Sequence, residues 1–155
     1  MGAVHRYTAR CSWSGSTGVG YDAYVRAHDA AAPPAAALRL SSDPAFRGDP
    51  TLMNPEQLVV LAAASCQLLS FLAVAARARL DVVAYEDEAE AEMPDDDQPL
   101  RLTRIVLRPR ITVAGEVTEE RLRHLVEVAH RQCYVANSLR TEVVVEPVFL
   151  RRPGG

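Results

Sequence analysis

The chain has 155 residues, 48% of them hydrophobic and 24% charged, with a net charge of −3 at neutral pH. That length suits one domain spanning residues 1–155, and the apolar fraction is enough for a packed core. The basic residues are scattered, so there is no electrostatic footprint for nucleic acid or an anionic membrane.

The opening MGAVHRYTAR lacks the apolar run of a secretory signal, and Arg6 stands where a myristoylation signal wants Ser or Thr. A cytoplasmic protein is expected. Residues 5–14 alternate, with Tyr7, Ala9, Cys11 and Trp13 on one face, and GSTGVG at 15–20 leads into a second polar and aromatic strand ending near His28. This pattern predicts an opening hairpin with Cys11 on its core face. Pro33 and Pro34 then break regular structure, and a short strand is expected at Leu38–Leu40, before the loop SSDPAFRGDPTLM.

A long helix opens at Asn54, a good N-cap, with Pro55 at its first position and Glu56 facing the positive end of the macrodipole. Residues 85–93 alternate again, with Glu88, Glu90 and Glu92 outward and Ala89, Ala91 and Met93 inward. After PDDDQP, residues 102–113 answer with Arg104, Arg108 and Arg110 outward and Ile105, Leu107, Ile111 and Val113 inward. A second hairpin is expected, its acidic strand facing a basic one across a solvated surface. A second helix opens at Thr118, carries the stripe Leu122, Leu125, Val126, Ala129 and Cys133, and stops near Asn137; a final strand runs from Thr141 to Phe149. Together these elements predict an α+β fold, with no internal repeat and no linker long enough to separate two domains.

From Gln57 to Ala76 the first helix carries no charge, which meets the length of a membrane span of about 20 residues. Against a span stand Gln57, Ser65, Gln67 and Ser70, the alanine-rich centre, the capped start and the flanking strands with solvated faces. A helix apolar all round must otherwise be covered on every side. One sheet and one further helix can hardly do that, so a homodimer with this helix at its centre is expected.

The three cysteines lie far apart and without CxxC spacing, which fits neither a zinc site nor a disulfide-stapled scaffold. Cys66 lies on the stripe Val59, Ala62, Cys66, Leu69 and Ala73, and Cys133 on the stripe of its own helix. Taken singly, each reads as a small buried hydrophobe. Two helices that each present one cysteine can also bring their thiols within disulfide reach, with Cα atoms about 4.4–6.8 Å apart. A redox-active thiol reacts as its thiolate, which burial disfavours unless a cation compensates.

Arg47 in the FRGD loop and Arg26 on the second strand are candidates for that cation, and Glu56 could fix the guanidinium by a bidentate pair. Glu56 and Cys66 are separated by about 15 Å of helical rise, so either a partner subunit supplies one of them or the Arg47 loop bridges the gap. Such a site would lie at a dimer interface. A metal reading would use His130 and Cys133, with His124 recruited, but no third and fourth ligands present themselves.

NPEQL, Cys66 ten residues after Glu56 on an alanine-rich helix, and AHRQC followed by Asn137 four residues beyond Cys133 resemble the OsmC/Ohr family, the osmotically induced protein C and organic hydroperoxide resistance proteins. The likeness runs from the first hairpin to the last strand. It implies an α+β swapped dimer with central helices wrapped by sheets, and thiol-dependent reduction of organic hydroperoxides. In that reading Cys66 attacks the peroxide and becomes a sulfenic acid, Cys133 condenses with it to a disulfide, and a dithiol such as dihydrolipoamide restores the pair. The resemblance implies no metal, haem or flavin, and it carries over Arg47 and Glu56 as site residues. Two positions depart from the pattern: Tyr134 stands where the better-known branches have Pro, and Gln67 where they usually have an aromatic residue. A non-catalytic binding dimer that keeps both cysteines as core residues is the rival reading.

Overall fold

The computed structural model describes residues 2–153, and the chain divides into two compact units at the Leu58–Val59 junction.

In the first unit, β1 (Arg10–Ser12), β2 (His28–Ala31) and β3 (Leu38–Leu40) form an antiparallel sheet in that order. The opening hairpin is therefore much shorter than the alternation of residues 5–14 predicts. Tyr7 is 90% exposed, and Cys11 is exposed on a strand with no buried face, which corrects its expected core position. β2 begins at His28, where the second strand was expected to end. The aromatic residues form a cage instead of a strand face. Trp13 donates its indole N–H to the Val25 carbonyl (2.7 Å), and the Trp13 and Tyr21 rings both pack edge-on against Tyr24. Arg26 lies over Tyr24, 3.6 Å from the ring centre, and donates to the carbonyls of Tyr24 and Tyr21. Of the alternating residues only Trp13 joins this cluster, and Tyr7, Cys11 and Trp13 are all exposed, so the alternation marks no buried face.

The loop after β3 is fixed by its backbone. Asp43 caps a short 3-10 turn (Pro44–Phe46), Arg47 follows in the left-handed region (φ 69°), and a Cβ on Gly48 would sit 1.6 Å from the Ser42 carbonyl oxygen. Only glycine fits there.

α1 (Pro55–Arg77) starts where the sequence places it. Asn54 Oδ1 accepts from the Gln57 N–H (2.9 Å) and Gln57 Oε1 from the Asn54 N–H (2.9 Å), a reciprocal capping box. It ends in a Schellman motif in which Leu80 N–H donates to Ala75 O and Arg79 N–H to Ala76 O, with Arg79 in the left-handed region at φ 58°. By length and composition alone α1 could cross a membrane, with a mean hydropathy of 2.3 over its most apolar window.

In the second unit, three long strands are each interrupted at about the same level. β4 (Asp81–Asp87) and β5 (Glu90–Glu92) are followed by β6 (Arg104–Leu107) and β7 (Pro109–Ala114), and later by β8 (Glu142–Val145) and β9 (Val148–Arg151). The pieces form two three-stranded sheets, β4-β7-β9 and β5-β6-β8, in which β8 and β9 run parallel to their neighbours. The single final strand expected from Thr141 to Phe149 is thus two, split at Pro147, which has no N–H for a ladder. Arg108 joins the three breaks: its N–H donates to Asp87 Oδ1 (2.7 Å), and its guanidinium reaches Glu90 (2.7 Å) and Glu146 (3.7 Å). Of the expected acidic-to-basic ladder only Glu90 and Arg108 form an ion pair among the described residues, while Ile105, Leu107, Ile111 and Val113 are buried as expected.

Thr118 caps α2 (Glu119–Arg131), accepting from the Arg121 N–H (3.1 Å). The helix stops at Arg131 instead of near Asn137, because the Gln132 N–H is shared among the carbonyls of Val128, Ala129 and His130 and the chain turns away. Phe71, Val74 and Ala75 of α1 pack with Ile111 and Val113 of β7 and with Leu122, Leu125, Val126 and Ala129 of α2. Ala63, further up α1, packs on Ile105 and Leu107 of β6. Both sheets thus hold α1 along one side and leave Leu61 (54% exposed), Leu69 (63%) and Leu72 (37%) on another.

Candidate active site

Cys66 sits in the middle of α1, half-buried, and Cys133 lies two residues past the end of α2, 1% exposed. Both are free thiols. The turn that ends α2 places Cys133: its N–H donates to the His130 carbonyl, and its own carbonyl accepts from the Asn137 N–H (3.0 Å). Ser70, one turn beyond Cys66, ties α1 to the same turn by donating to the Ala129 carbonyl (2.7 Å). Cys66 and Cys133 are thereby neighbours within the second unit, close enough for each thiol to influence the other.

Burial is the main influence on Cys133 and pushes its thiol up. The N–H groups of Ala136 and Val135 point at the sulfur and favour the thiolate, but the neighbouring Cys66 adds to the upward push, and the net direction is up. Cys133 is held as a thiol.

A buried polar cluster lies behind it on β4. Burial first, then the neighbouring Asp87 and Cys133, keep Tyr85 a neutral phenol. Burial also pushes the Asp87 carboxyl up, against the Arg108 N–H and guanidinium, which pull it down. Tyr85 Oη and Asp87 Oδ2 have no hydrogen-bond partner among the described residues, nor do the two amide atoms of Gln67, a residue only 1% exposed. Cys66 opens onto a cavity of about 280 Å³ that runs along α1 through Leu69, Ser70 and Ala73 to Arg77.

The other expected site residues lie elsewhere or in the first unit. Arg47 is exposed and pairs with Asp22 (3.0 Å), where the sequence pointed to Glu56 as its partner. Glu56 occupies the first turn of α1 and makes no ion pair among the described residues. Arg26, expected on a strand, precedes β2 and is engaged by the aromatic cage. His124 is exposed, and no three His, Cys, Asp or Glu side chains converge as a metal site would need among the described residues. Sequence reasoning overlooked Tyr85, Asp87 and Arg77. Tyr85 and Asp87 share one face of a strand by their i, i+2 spacing, and Arg77 follows Cys66 at the i, i+4, i+7, i+11 spacing of one helix face, so both signals were available.

Residues 48–148 match the model of the family described as OsmC-like protein. Among solved structures the chain is similar to an OsmC-like protein of unknown function from Vibrio cholerae, with 28% identity over 94% of this chain and 100% of that one and a TM-score of 0.85. It also resembles an organic hydroperoxide resistance protein from Elizabethkingia anophelis, with 17% identity, 98% and 100% of the two chains covered, and a TM-score of 0.71. An organic hydroperoxide resistance protein OsmC from Legionella pneumophila shares 16% identity over 96% of this chain and 99% of that one, with a TM-score of 0.64. These likenesses fit the mixed α+β architecture. Among curated proteins none matches.

Proposed function

Since the chain belongs to the OsmC-like protein family, we propose that it is a thiol-dependent peroxidase acting on organic hydroperoxides. The observation that supports this most is the side-by-side placement of two free thiols, one opening onto a cavity and the other buried behind it. The Cys66 thiolate attacks the outer peroxide oxygen. An S–O bond forms, the O–O bond breaks, and the alkoxide leaves to take up a proton, so that sulfur is oxidised and the peroxide reduced to an alcohol. The Cys133 sulfur then attacks the sulfenic sulfur, its proton leaving with the hydroxide as water. A dithiol such as dihydrolipoamide reduces the disulfide by exchange.

The same proposal includes a homodimer, because a second copy would cover the exposed Leu61 and Leu72 of α1. Arg47 and Glu56 enter it as residues to be tested by substitution. Stopped-flow measurement of thiol loss with cumene hydroperoxide tests the reading. Cys66→Ser should abolish turnover, and Cys133→Ser should react once and stall as sulfenic acid. Undiminished turnover in Cys66→Ser rejects it.

One observation favours a second reading, a non-catalytic dimer with structural cysteines: Cys133 is almost fully buried and held protonated, as an inert core cysteine is. Slow, unselective labelling of both thiols in the folded protein would support that alternative.

A further inference from the structure

The cavity beside Cys66 has different chemistry at its two ends. Cys66, Ser70, Ala73 and Arg77 follow one another at i, i+4, i+7 and i+11, so they line a single face of α1, and the thiol and the root of the guanidinium are separated by about 16 Å of helical rise. The wall between them is apolar in effect. Leu69 and Ala73 carry no polar side-chain atom, and the Ser70 hydroxyl is committed to the Ala129 carbonyl (2.7 Å). Gln132 and Tyr134, from the turn after α2, complete the opposite side.

Arg77 makes no ion pair among the described residues. Its place in the last turn of α1 suits the helix dipole, but any cation there would do that. A planar guanidinium closing an apolar groove suits the carboxylate of an amphipathic ligand, which it can hold by two parallel hydrogen bonds.

We infer that Arg77 is a specificity-determining residue that binds the free carboxylate of an acyl-chain hydroperoxide whose peroxide group lies at Cys66. This rests on the peroxidase reading for the chemistry at the thiol, but the recognition itself does not depend on turnover. Short hydroperoxides cannot span the two ends, so Arg77 confers selectivity only on long-chain acids. Tyr134 fits the same picture: it is 82% exposed and stands at the cavity wall, where an acyl chain would cover it.

The test separates recognition from chemistry. Calorimetric titration of the reduced protein uses hydroxyoctadecadienoic acid, the unreactive alcohol of linoleic acid hydroperoxide, and its methyl ester. The acid should bind about tenfold more tightly than the ester, as expected for one charge-assisted pair. Arg77→Gln should bring that ratio close to one, and Arg77→Lys should keep part of it. In turnover, the same ratio should appear in KM and not in kcat. Equal binding of acid and ester by the wild type, or an unchanged ratio in a folded Arg77→Gln variant with wild-type circular dichroism, overturns the inference. Absence of hydroperoxide consumption with the binding ratio intact would reject the peroxidase reading and leave the recognition site standing.

Discussion

Cys66, on the helix that both sheets of the second unit hold along one side, lies beside Cys133, at the turn that ends α2, and helps to hold the Cys133 proton in place. The pairing depends on that turn: an α2 running on to Asn137 would have carried Cys133 around with its own helical face. Ser70 fixes the separation by bonding the Ala129 carbonyl of the same turn.

Burial and the Cys66 neighbour push the Cys133 thiol above its ordinary range, and only a thiolate attacks a sulfenic sulfur. The disulfide-forming step, followed by stopped flow after Cys66 has been oxidised, should therefore accelerate by about tenfold per pH unit through neutrality and beyond the ordinary thiol range. Stability should move oppositely. The folded chain keeps this proton where the unfolded chain releases it, so the contribution is intact below the ordinary thiol value and is lost as pH rises toward the raised one. A pH-independent second step would show that Cys133 is already ionised.

Gln67 is buried with both amide atoms lacking a partner among the described residues. Leaving such groups dry and unpaired costs about 1–3 kcal/mol, and methionine has nearly the same shape. Gln67→Met should raise the urea midpoint by an amount equivalent to about 1–2 kcal/mol with an unchanged m-value. A lower midpoint would show that the amide is bonded in the working state.

Arg79 ends α1 in the left-handed region, where a side chain costs about 1–2 kcal/mol that glycine avoids. Arg79→Gly should raise Tm by about 2–4 °C. A fall in Tm would mean that the arginine side chain makes contacts worth more than the backbone strain.

How far the sequence could be read varies along the chain, for physical reasons. Asn54 could be read as the start of α1 from its residue type because a cap is a local arrangement, while the reciprocal bond from Gln57, three residues on, was available at the same spacing and was passed over. Ile105, Leu107, Ile111 and Val113 could be read because a two-sided strand leaves its period in the sequence. The first hairpin was misread because the alternation of Tyr7, Ala9, Cys11 and Trp13 faces no core: Tyr7 and Cys11 are exposed, and Trp13 packs on Tyr24 instead. The break at Pro147 was readable from its missing N–H and was passed over. The end of α2 was not, since nothing in HRQCYVAN is a strong helix breaker and the turn is set by bonds to carbonyls from Val128 to His130. The cysteine stripes pointed to both thiols as inward-facing, while the Asp22 partner of Arg47 lies far from it in sequence and carries no local signal.

The exposed leucines of α1 give an assembly prediction. Wild-type protein at micromolar concentration should sediment as a dimer, and the double variant Leu61→Glu, Leu72→Glu should sediment as a monomer, because two buried carboxylates in a shared apolar core have no partner. A folded wild-type monomer would remove the shared-core proposal.

The proposed chemistry requires Cys66 and Cys133 to act as a redox pair. Reduced protein is treated with one equivalent of cumene hydroperoxide, alkylated and mapped by mass spectrometry without reduction. The predicted result is a peptide pair joined through Cys66 and Cys133, with Cys11 alkylated; Cys66 and Cys133 both recovered as alkylated thiols, with the hydroperoxide unconsumed, would contradict it.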